Sequence, residues 1–568
     1  MDGLQRCESS EAIVVDAKVR SNENSMAQRH AVPAWKWTGT AIALIIPLAL
    51  YYYAPVEGGL TFTGDSVTYL VMSKCLFDYP QKPIGVRGLD WDGSSATLNT
   101  TFPIGYPLLI AVVGVFGFQR SVAGLLVPFL CYVAASLIMF RLAMRVSGRV
   151  GVAIAASCLF AGSFPVLCVA WHAWSEMPAI LVALSSLVLL EKHACPEPGR
   201  RTAAGQCLSG ILGGCTVWFR YAMLPYVPAM ILAVGAMAGS RTMTRASALR
   251  VGLSALLTAT LLFCVNWWFG GSPVGPGRPP ATDGVISNAA AMANHIVNMA
   301  FGMLGSRSAP ASFVASLLLF LLLLVCGVLC FAAVPASHRR RPSYSVAAMF
   351  CLLYPVFITV TRSIVRYDPL DNRFTSVMVP FFILAVLVPA LRHVRVTRFG
   401  LWPQNALRLA APILAVAYVL GQGTHWNGTA SWHQRALRTQ DILERSPQLT
   451  RLRQLTEGGP EYLLTNSIGA VYAWNPARAI CLELDGSLSP DAVTRFGNRV
   501  GQPIYVYLAY DHPLFDPGAI GPLAVRLFSG RMGESWSYLG DDGCGRLWHM
   551  APTRGVTRAE DRARWLGP

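Results

Sequence analysis

An acid placed just beyond an apolar run is the first chemically informative feature of this sequence. The stretch Gly64-Asp65-Ser66-Val67-Thr68-Tyr69 follows the first long apolar segment. Charge at membrane depth is costly and is kept mainly where it functions. Asp65 also suits the N-cap of the helical pattern that follows it, and the two roles are compatible. A second acid, Glu176, stands in Trp171-His172-Ala173-Trp174-Ser175-Glu176-Met177-Pro178. An acid beside proline also suits the first turn of a helix. Arginines recur at Arg220, Arg362, Arg366 and Arg373. Carboxylates and guanidinium groups together fit a reaction between a hydroxyl and a phosphate ester. A carboxylate takes the hydroxyl proton, and arginines hold the departing phosphate through paired N–H contacts. The two acids could also share a divalent cation through oxygen ligands. His172 has no second histidine at metal-binding spacing, which favours a hydrogen-bonded interfacial residue over a ligand. Each arginine also has a plainer use: Arg220, Arg362 and Arg366 as interfacial anchors, Arg373 as the partner of Asp368 or Asp371.

The elements that must position these groups are membrane helices. Of the 568 residues, 53% are apolar and only 13% charged, and the mean hydropathy is positive. Runs such as 37–54 and 311–334 are apolar over about the ~20 residues that a bilayer core of ~30 Å demands of a helix. The first run follows a long polar tail and ends in no small-residue cleavage pattern, so it reads as a span and not a cleaved signal. The net charge of +16 could suggest nucleic acid. The basic residues instead cluster in short loops between spans, which is the positive-inside pattern, and no nucleic-acid partner is expected. Most of the fourteen cysteines fall in apolar spans, where a small weak donor packs well. Cys481 and Cys544 could pair if the C-terminal part lies outside the cytoplasm.

The basic clusters at 141–149, 192–201, 241–250, 339–341 and 392–398 all fall on the cytoplasmic side if the apolar run 104–118 is a re-entrant or interfacial helix. It is short for a full span. The spans are then roughly 37–54, 121–140, 151–170, 177–191, 206–220, 222–239, 246–268, 311–334, 343–361, 374–391 and 405–422. This predicts an all-α polytopic membrane domain of about eleven helices, with the N-terminus inside and the C-terminus outside. Residues 1–36 read as a disordered cytoplasmic tail, 37–422 as the catalytic membrane domain, and 423–568 as a small α/β domain on the outer face. The hydrophilic loop 269–310 is a candidate lid. Asp90-Trp91-Asp92-Gly93 is most simply a turn. On this topology Asp65, Glu176, Arg220, Arg362, Arg366 and Arg373 all meet one membrane face.

The order of these segments resembles the GT-C glycosyltransferases, which use lipid-phosphate sugar donors. Asp65 with Tyr69 is similar to the start of that superfamily, and Phe102-Pro103-Ile104-Gly105-Tyr106-Pro107 to its tyrosine–proline entry into the next helix. Arg141-Leu142 with Gly148-Arg149 resembles its first cytoplasmic turn, and Ser175-Glu176-Met177-Pro178 its Ser-Glu-Pro-type turn. Asp371-Asn372-Arg373 with Pro380 resembles its late arginine segment. Leu464-Thr465-Asn466 to Tyr472 resembles the start of its outer domain. Protein O-mannosyltransferases and lipid A aminoarabinose transferases are the nearest in pattern. Many relatives carry Asp-Glu at the first motif; here it is Asp65-Ser66, which leaves Asp65 as the candidate base. The resemblance implies a polyprenyl-phosphate sugar donor, inversion at the anomeric carbon and a hydroxyl acceptor on a glycolipid, polysaccharide or protein. It further implies a multi-pass protein of the bacterial inner membrane. Tyr69 and Tyr106 would line the pocket, and His172, Arg220, Arg362, Arg366 and Arg373 would bind substrate. A lipid-linked sugar transporter is the rival reading; it predicts charges near mid-membrane and paired repeat halves, and neither stands out.

Overall fold

The computed structural model describes residues 34–53, 64–77, 86–89, 96–98, 102–194, 202–240, 242–270, 272–274, 281, 283–302, 341–365, 372–389, 447–456, 462–465, 480–483, 490–500, 504–509, 536–541 and 545–551. The chain is mostly helical. The membrane part opens with α1 (Ala34–Tyr53) and α2 (Gly64–Phe77). A small antiparallel hairpin follows, β1 (Val86–Leu89) with β2 (Ala96–Leu98). Then come α3 (Gly105–Val115), α4 (Arg120–Ser147), α5 (Val150–Gly162), α6 (Phe164–Trp171), α7 (Glu176–Ala194), α8 (Ala203–Phe219), α9 (Tyr226–Gly239) and α10 (Arg245–Gly270). The set closes with α11 (Val285–Gly302), α12 (Pro342–Ile364), α13 (Asn372–Ser376) and α14 (Val379–Phe382), which continues as a π-helical turn, Ile383–Leu387.

Among the described residues, four helices can cross a membrane by length and composition: Val122–Ser147, Tyr221–Gly239, Arg245–Trp268 and Pro342–Ile364. The pair α5–α6 makes a fifth if its 54° bend lies within one span. That bend falls at Ser163, with Pro165 in the first turn of α6, where proline lacks a donor that an interior turn would need. Helices α1, α7 and α8 occupy the expected spans 37–54, 177–191 and 206–220. The expected spans 311–334 and 405–422 lie outside the described residues, as does the boundary expected at 423. Leu249, Leu253, Leu256, Leu257 and Leu261 of α10 point outward and are exposed. A soluble protein avoids a continuous apolar face of that kind; here it is the lipid-facing side of a membrane protein.

Helix α8 packs on α10 through glycine. A Cβ at Gly210 would stand 2.3 Å from the Val251 carbonyl oxygen, and one at Gly214 2.4 Å from that of Ala255. Small residues four apart let two backbones approach closely, which is how helices associate where lipid removes the hydrophobic drive. Gly148 ends α4 with φ 69°, its N–H on the Met144 carbonyl, the left-handed cap that glycine adopts without a Cβ penalty.

The bundle has two chemically distinct ends. At one, Arg145 donates to the Val188 carbonyl, Gln206 to that of His193, and Arg250 to Gln206. Glu191 accepts from the Ser343 N–H (3.0 Å) and hydroxyl (2.5 Å) at the start of α12, satisfying donors that a helix N-terminus leaves open. This basic end gathers the C-termini of α4 and α7 with the N-termini of α8, α10 and α12. The first turn of α7 lies at the other end, about 23 Å away at ~1.5 Å per residue.

The loop expected at 269–310 holds α11 instead. Met292, Ile296 and Met299, with Ala293 and Val297, are buried on one face. The apolar residues recur at helical spacing, but Asn288, Asn294 and His295 between them gave the stretch its hydrophilic look.

In the C-terminal part, α15 (Pro447–Thr456) precedes β3 (Tyr462–Thr465) and β4 (Ile480–Glu483). Next come α16 (Pro490–Val500), β5 (Ile504–Ala509), β6 (Trp536–Asp541) and β7 (Gly545–Met550). The five strands form a mixed sheet in the order β4-β3-β5-β7-β6. β3 is parallel to β4 and β5, and β7 antiparallel to β5 and β6. Hairpin strand β1 packs beside β4, the sheet edge. Cys544 lies outside the described residues, so its expected pairing with Cys481 does too.

Candidate active site

At the end opposite the basic cluster, four charged side chains meet. Glu176, in the first turn of α7, is fully buried. Its Oε1 accepts from Arg220 Nη1 at 2.5 Å and from Arg373 Nε at 3.0 Å. Arg373 reaches on with Nη2 to Asp65 Oδ2. Asp65 Oδ1 takes no part in that ion pair. One guanidinium therefore joins the carboxylates of α2 and α7, and the set of two acids and two arginines is neutral.

Each member is held from behind. Arg220 ends α8, whose last turn closes with its N–H on the Thr216 carbonyl, and its guanidinium lies over the Phe374 ring at 5.5 Å. Arg373 sits on the short α13, fastened to α12 by the Tyr354 hydroxyl donating to the Phe374 carbonyl (2.9 Å). Its guanidinium lies over Trp174 at 4.8 Å, a cation–π contact that fixes the plane of its N–H groups. Trp174 stacks on His172, centroids 4.3 Å apart at 15°. His172 donates from Nδ1 to the Cys168 carbonyl (2.6 Å), so it orients the aromatic support.

Asp65 is placed by Tyr69, one turn later on the same helix face. Tyr69 is buried, and its hydroxyl meets Ser175 Oγ at 2.9 Å. Burial, then the carboxylates of Glu176 and Asp65, hold its phenol well above the usual range. It therefore stays protonated and serves as a hydrogen-bonding post. Its ring stands edge-on to Phe102 and Tyr106 at 5.1 and 4.9 Å. Tyr106 is fully buried and donates to the Gly124 carbonyl, so it props Tyr69 from the far side.

Arg362 stands apart, in the last turn of α12, and makes no ion pair among the described residues. Arg366, Asp368 and Asp371 lie outside the described residues; the partners that Arg373 finds are Asp65 and Glu176. Among the described residues no three His, Cys, Asp or Glu side chains gather as a metal site would require. Ser175, which the sequence offered only as part of the Ser-Glu-Pro-type turn, supports the cluster together with Trp174 and Phe374, to which sequence reasoning gave no role. For Trp174 and Phe374 the only signal was adjacency to the site, to Glu176 through Ser175 and to Arg373.

No protein-family model matches the sequence, and no curated protein matches it. Solved structures do. ArnT from Cupriavidus metallidurans bound to undecaprenyl phosphate aligns over 93% of this chain and 100% of its own, at 12% identity and a TM-score of 0.52. Its apo state aligns over 91% and 98%, at 12% identity and a TM-score of 0.53. The archaeal oligosaccharyltransferase AglB from Archaeoglobus fulgidus, in complex with an inhibitory peptide and a dolichol-phosphate, aligns over 90% and 74%, at 13% identity and a TM-score of 0.45. At such identities likeness speaks for architecture alone: this chain shares the fold of the two ArnT structures.

Proposed function

We propose that this protein is a membrane glycosyltransferase that moves a sugar from a polyprenyl-phosphate donor to a hydroxyl acceptor, a glycolipid, polysaccharide or protein, at the outer face of a bacterial cytoplasmic membrane. The observation that carries the reading is the Asp65–Arg373–Glu176–Arg220 cluster, assembled from four separate segments at the less basic end of the bundle. Asp65 Oδ1 accepts the acceptor's proton as its oxygen attacks the anomeric carbon. The bond from that carbon to the donor phosphate breaks, and the phosphate leaves with the electron pair. Attack opposite the leaving group inverts the centre. Glu176 fixes Arg373, which fixes Asp65. Arginines on the same rim offset the phosphate charge that builds in the transition state.

A divalent cation shared by the two acids is the other chemistry they offer, and it would require Arg373 to leave the space between them. The ligand of the ArnT structure is undecaprenyl phosphate; carrying that class of lipid to this chain is part of the proposal. So is the topology of about eleven spans, N-terminus inside and C-terminal domain outside, which the basic end of the bundle supports by the positive-inside bias. Asp65→Asn keeps the size of the side chain and one accepting oxygen, and removes its charge and basicity. Transfer should fall about 10³-fold in kcat, with unchanged membrane insertion and thermal unfolding. Transfer at the wild-type rate in that variant ends the mechanism.

A further inference from the structure

Among the described residues, Arg373 alone pairs with both acids of the cluster. It does so from one edge of its plane. Nε faces Glu176 Oε1 at 3.0 Å, and the adjacent Nη2 faces Asp65 Oδ2. These two N–H groups are neighbouring prongs of a rigid fork. The fork therefore gathers one oxygen of each carboxylate along a single edge. Two like charges brought that close repel unless a cation lies between them. The cation is also seated from behind, because the Trp174 ring backs the guanidinium at 4.8 Å. Glu176 is the buried end of this bridge, and Asp65, with 21% of its side chain exposed, is the open end.

Two carboxylates facing one point are equally the seat that a divalent ion takes through oxygen ligands. Charge decides between the two occupants. The two acids and two arginines already cancel, so an added divalent ion would bring its whole charge uncompensated into a largely buried site. The next position on α2 supplies no further acid: it is Ser66, fully buried. Glu176 Oε1 is shared by both arginines, and Oε2 is buried without a hydrogen-bond partner. The site thus has a spare oxygen but no spare negative charge.

We propose that the Arg373 guanidinium is the built-in cation of this site: it bridges Asp65 and Glu176 in the place of a divalent metal, so that orienting the base needs no bound ion. This rests on the transferase reading only in calling Asp65 the base. Removing the guanidinium should then create the metal site that the wild-type chain fills with its own side chain. In Arg373→Ala, Arg220 keeps Glu176 Oε1. Asp65 and Glu176 Oε2 are left with an uncompensated negative charge and a space open to water. A hard cation with oxygen ligands and retained waters fits there.

The test is Mn²⁺ binding to the full chain in detergent, read by the electron paramagnetic resonance of the ion left free, with thermal unfolding followed in the same samples. Wild type should bind no Mn²⁺ that depends on Asp65. Arg373→Ala should bind one Mn²⁺ per chain at about 10⁻⁴–10⁻³ M, the weak end of carboxylate sites. Its unfolding temperature should rise with Mn²⁺, because an ion that binds only the folded state stabilises it. Adding Asp65→Asn to that variant should weaken the binding by about tenfold or more. Arg373→Lys, which keeps a cation in the gap, should not gain the site. Mn²⁺ bound by wild type and lost in Asp65→Asn overturns the proposal, as does wild-type transfer that is lost on chelation with EDTA and returns with Mn²⁺. An Arg373→Ala chain that gains no Asp65-dependent Mn²⁺ binding, or that unfolds early with or without the ion, overturns it too. None of these results touches Asp65 as the base, which fails separately if Asp65→Asn transfers at the wild-type rate.

Discussion

Glu176 shows what a buried charge is for in this fold. A carboxylate removed from water loses several kcal/mol of hydration, recovered only through close, well-aligned partners. Two guanidinium groups share its Oε1, and each then carries a further contact, Arg220 to Phe374 and Arg373 to Asp65 and Trp174. Glu176→Gln removes the charge that both need, leaving the buried Arg220 without a carboxylate and Arg373 with Asp65 alone. Breaking such a pair costs about 3–5 kcal/mol, so we expect marked destabilisation in detergent-solubilised thermal unfolding, plus a loss of transfer in whatever fraction stays folded. A variant as stable as wild type would show that Glu176 is not the anchor. The acids themselves were legible in the sequence, because a carboxylate beside long apolar runs stands out against the cost of placing it there. Their shared arginine was not: Glu176 and Arg373 are 197 residues apart, and local pattern favoured Asp368 or Asp371 as the partner.

At the scale of elements, helices persist where apolar runs are long, and the runs behind α4, α9, α10 and α12 could be read directly. The short α3 could be read too, since the basic clusters sort to one side only if 104–118 does not cross. Helix α11 was hidden because its polar residues interrupt the apolar pattern without breaking its helical period. The approach of α8 to α10 was equally hidden. Gly210 and Gly214 have the spacing of a close contact, but glycine is frequent in membrane helices and the pattern names no partner. This contact matters to chemistry because α8 ends at Arg220. Gly214→Val places branched carbons where the Ala255 carbonyl oxygen lies 2.4 Å from the first of them. A backbone atom cannot yield as a flexible side chain can, so α8 must move and carry Arg220 off Glu176. We expect lower thermal stability and about a tenfold lower kcat from a roughly 1 Å displacement of a positioning group, whereas Gly235→Ala on α9, where an added Cβ meets nothing within 4 Å, should leave both unchanged. Equal effects of the two substitutions would remove close packing as the cause.

Across the whole molecule, the connection between the two halves of the site runs through the C-terminal sheet. Asp65 and Tyr69 lie on α2, Tyr106 lies on α3, and the chain between them forms the β1–β2 hairpin. A hairpin of two short strands is marginal by itself. This one has neighbours on two sides: β1 beside the edge strand β4, and β2 against α10. The C-terminal part therefore acts on the site by holding the segment that joins the base to its aromatic props. Ending the chain at residue 446 strips β4 from the hairpin and leaves every described charged residue of the cluster present. The contacts of Tyr69 with Ser175 and Tyr106 still favour the docked α2, but the restraint on the loop leading away from it is lost. We expect the truncated protein to insert normally and to transfer sugar at least about tenfold more slowly, the scale of a site loosened by about an ångström. The hairpin should gain protease sensitivity in parallel, since exposed, poorly packed segments open first. Full activity with a protease-sensitive hairpin would show that the docking of α2 alone positions Asp65. Full activity with a protected hairpin would mean that α10 is sufficient support.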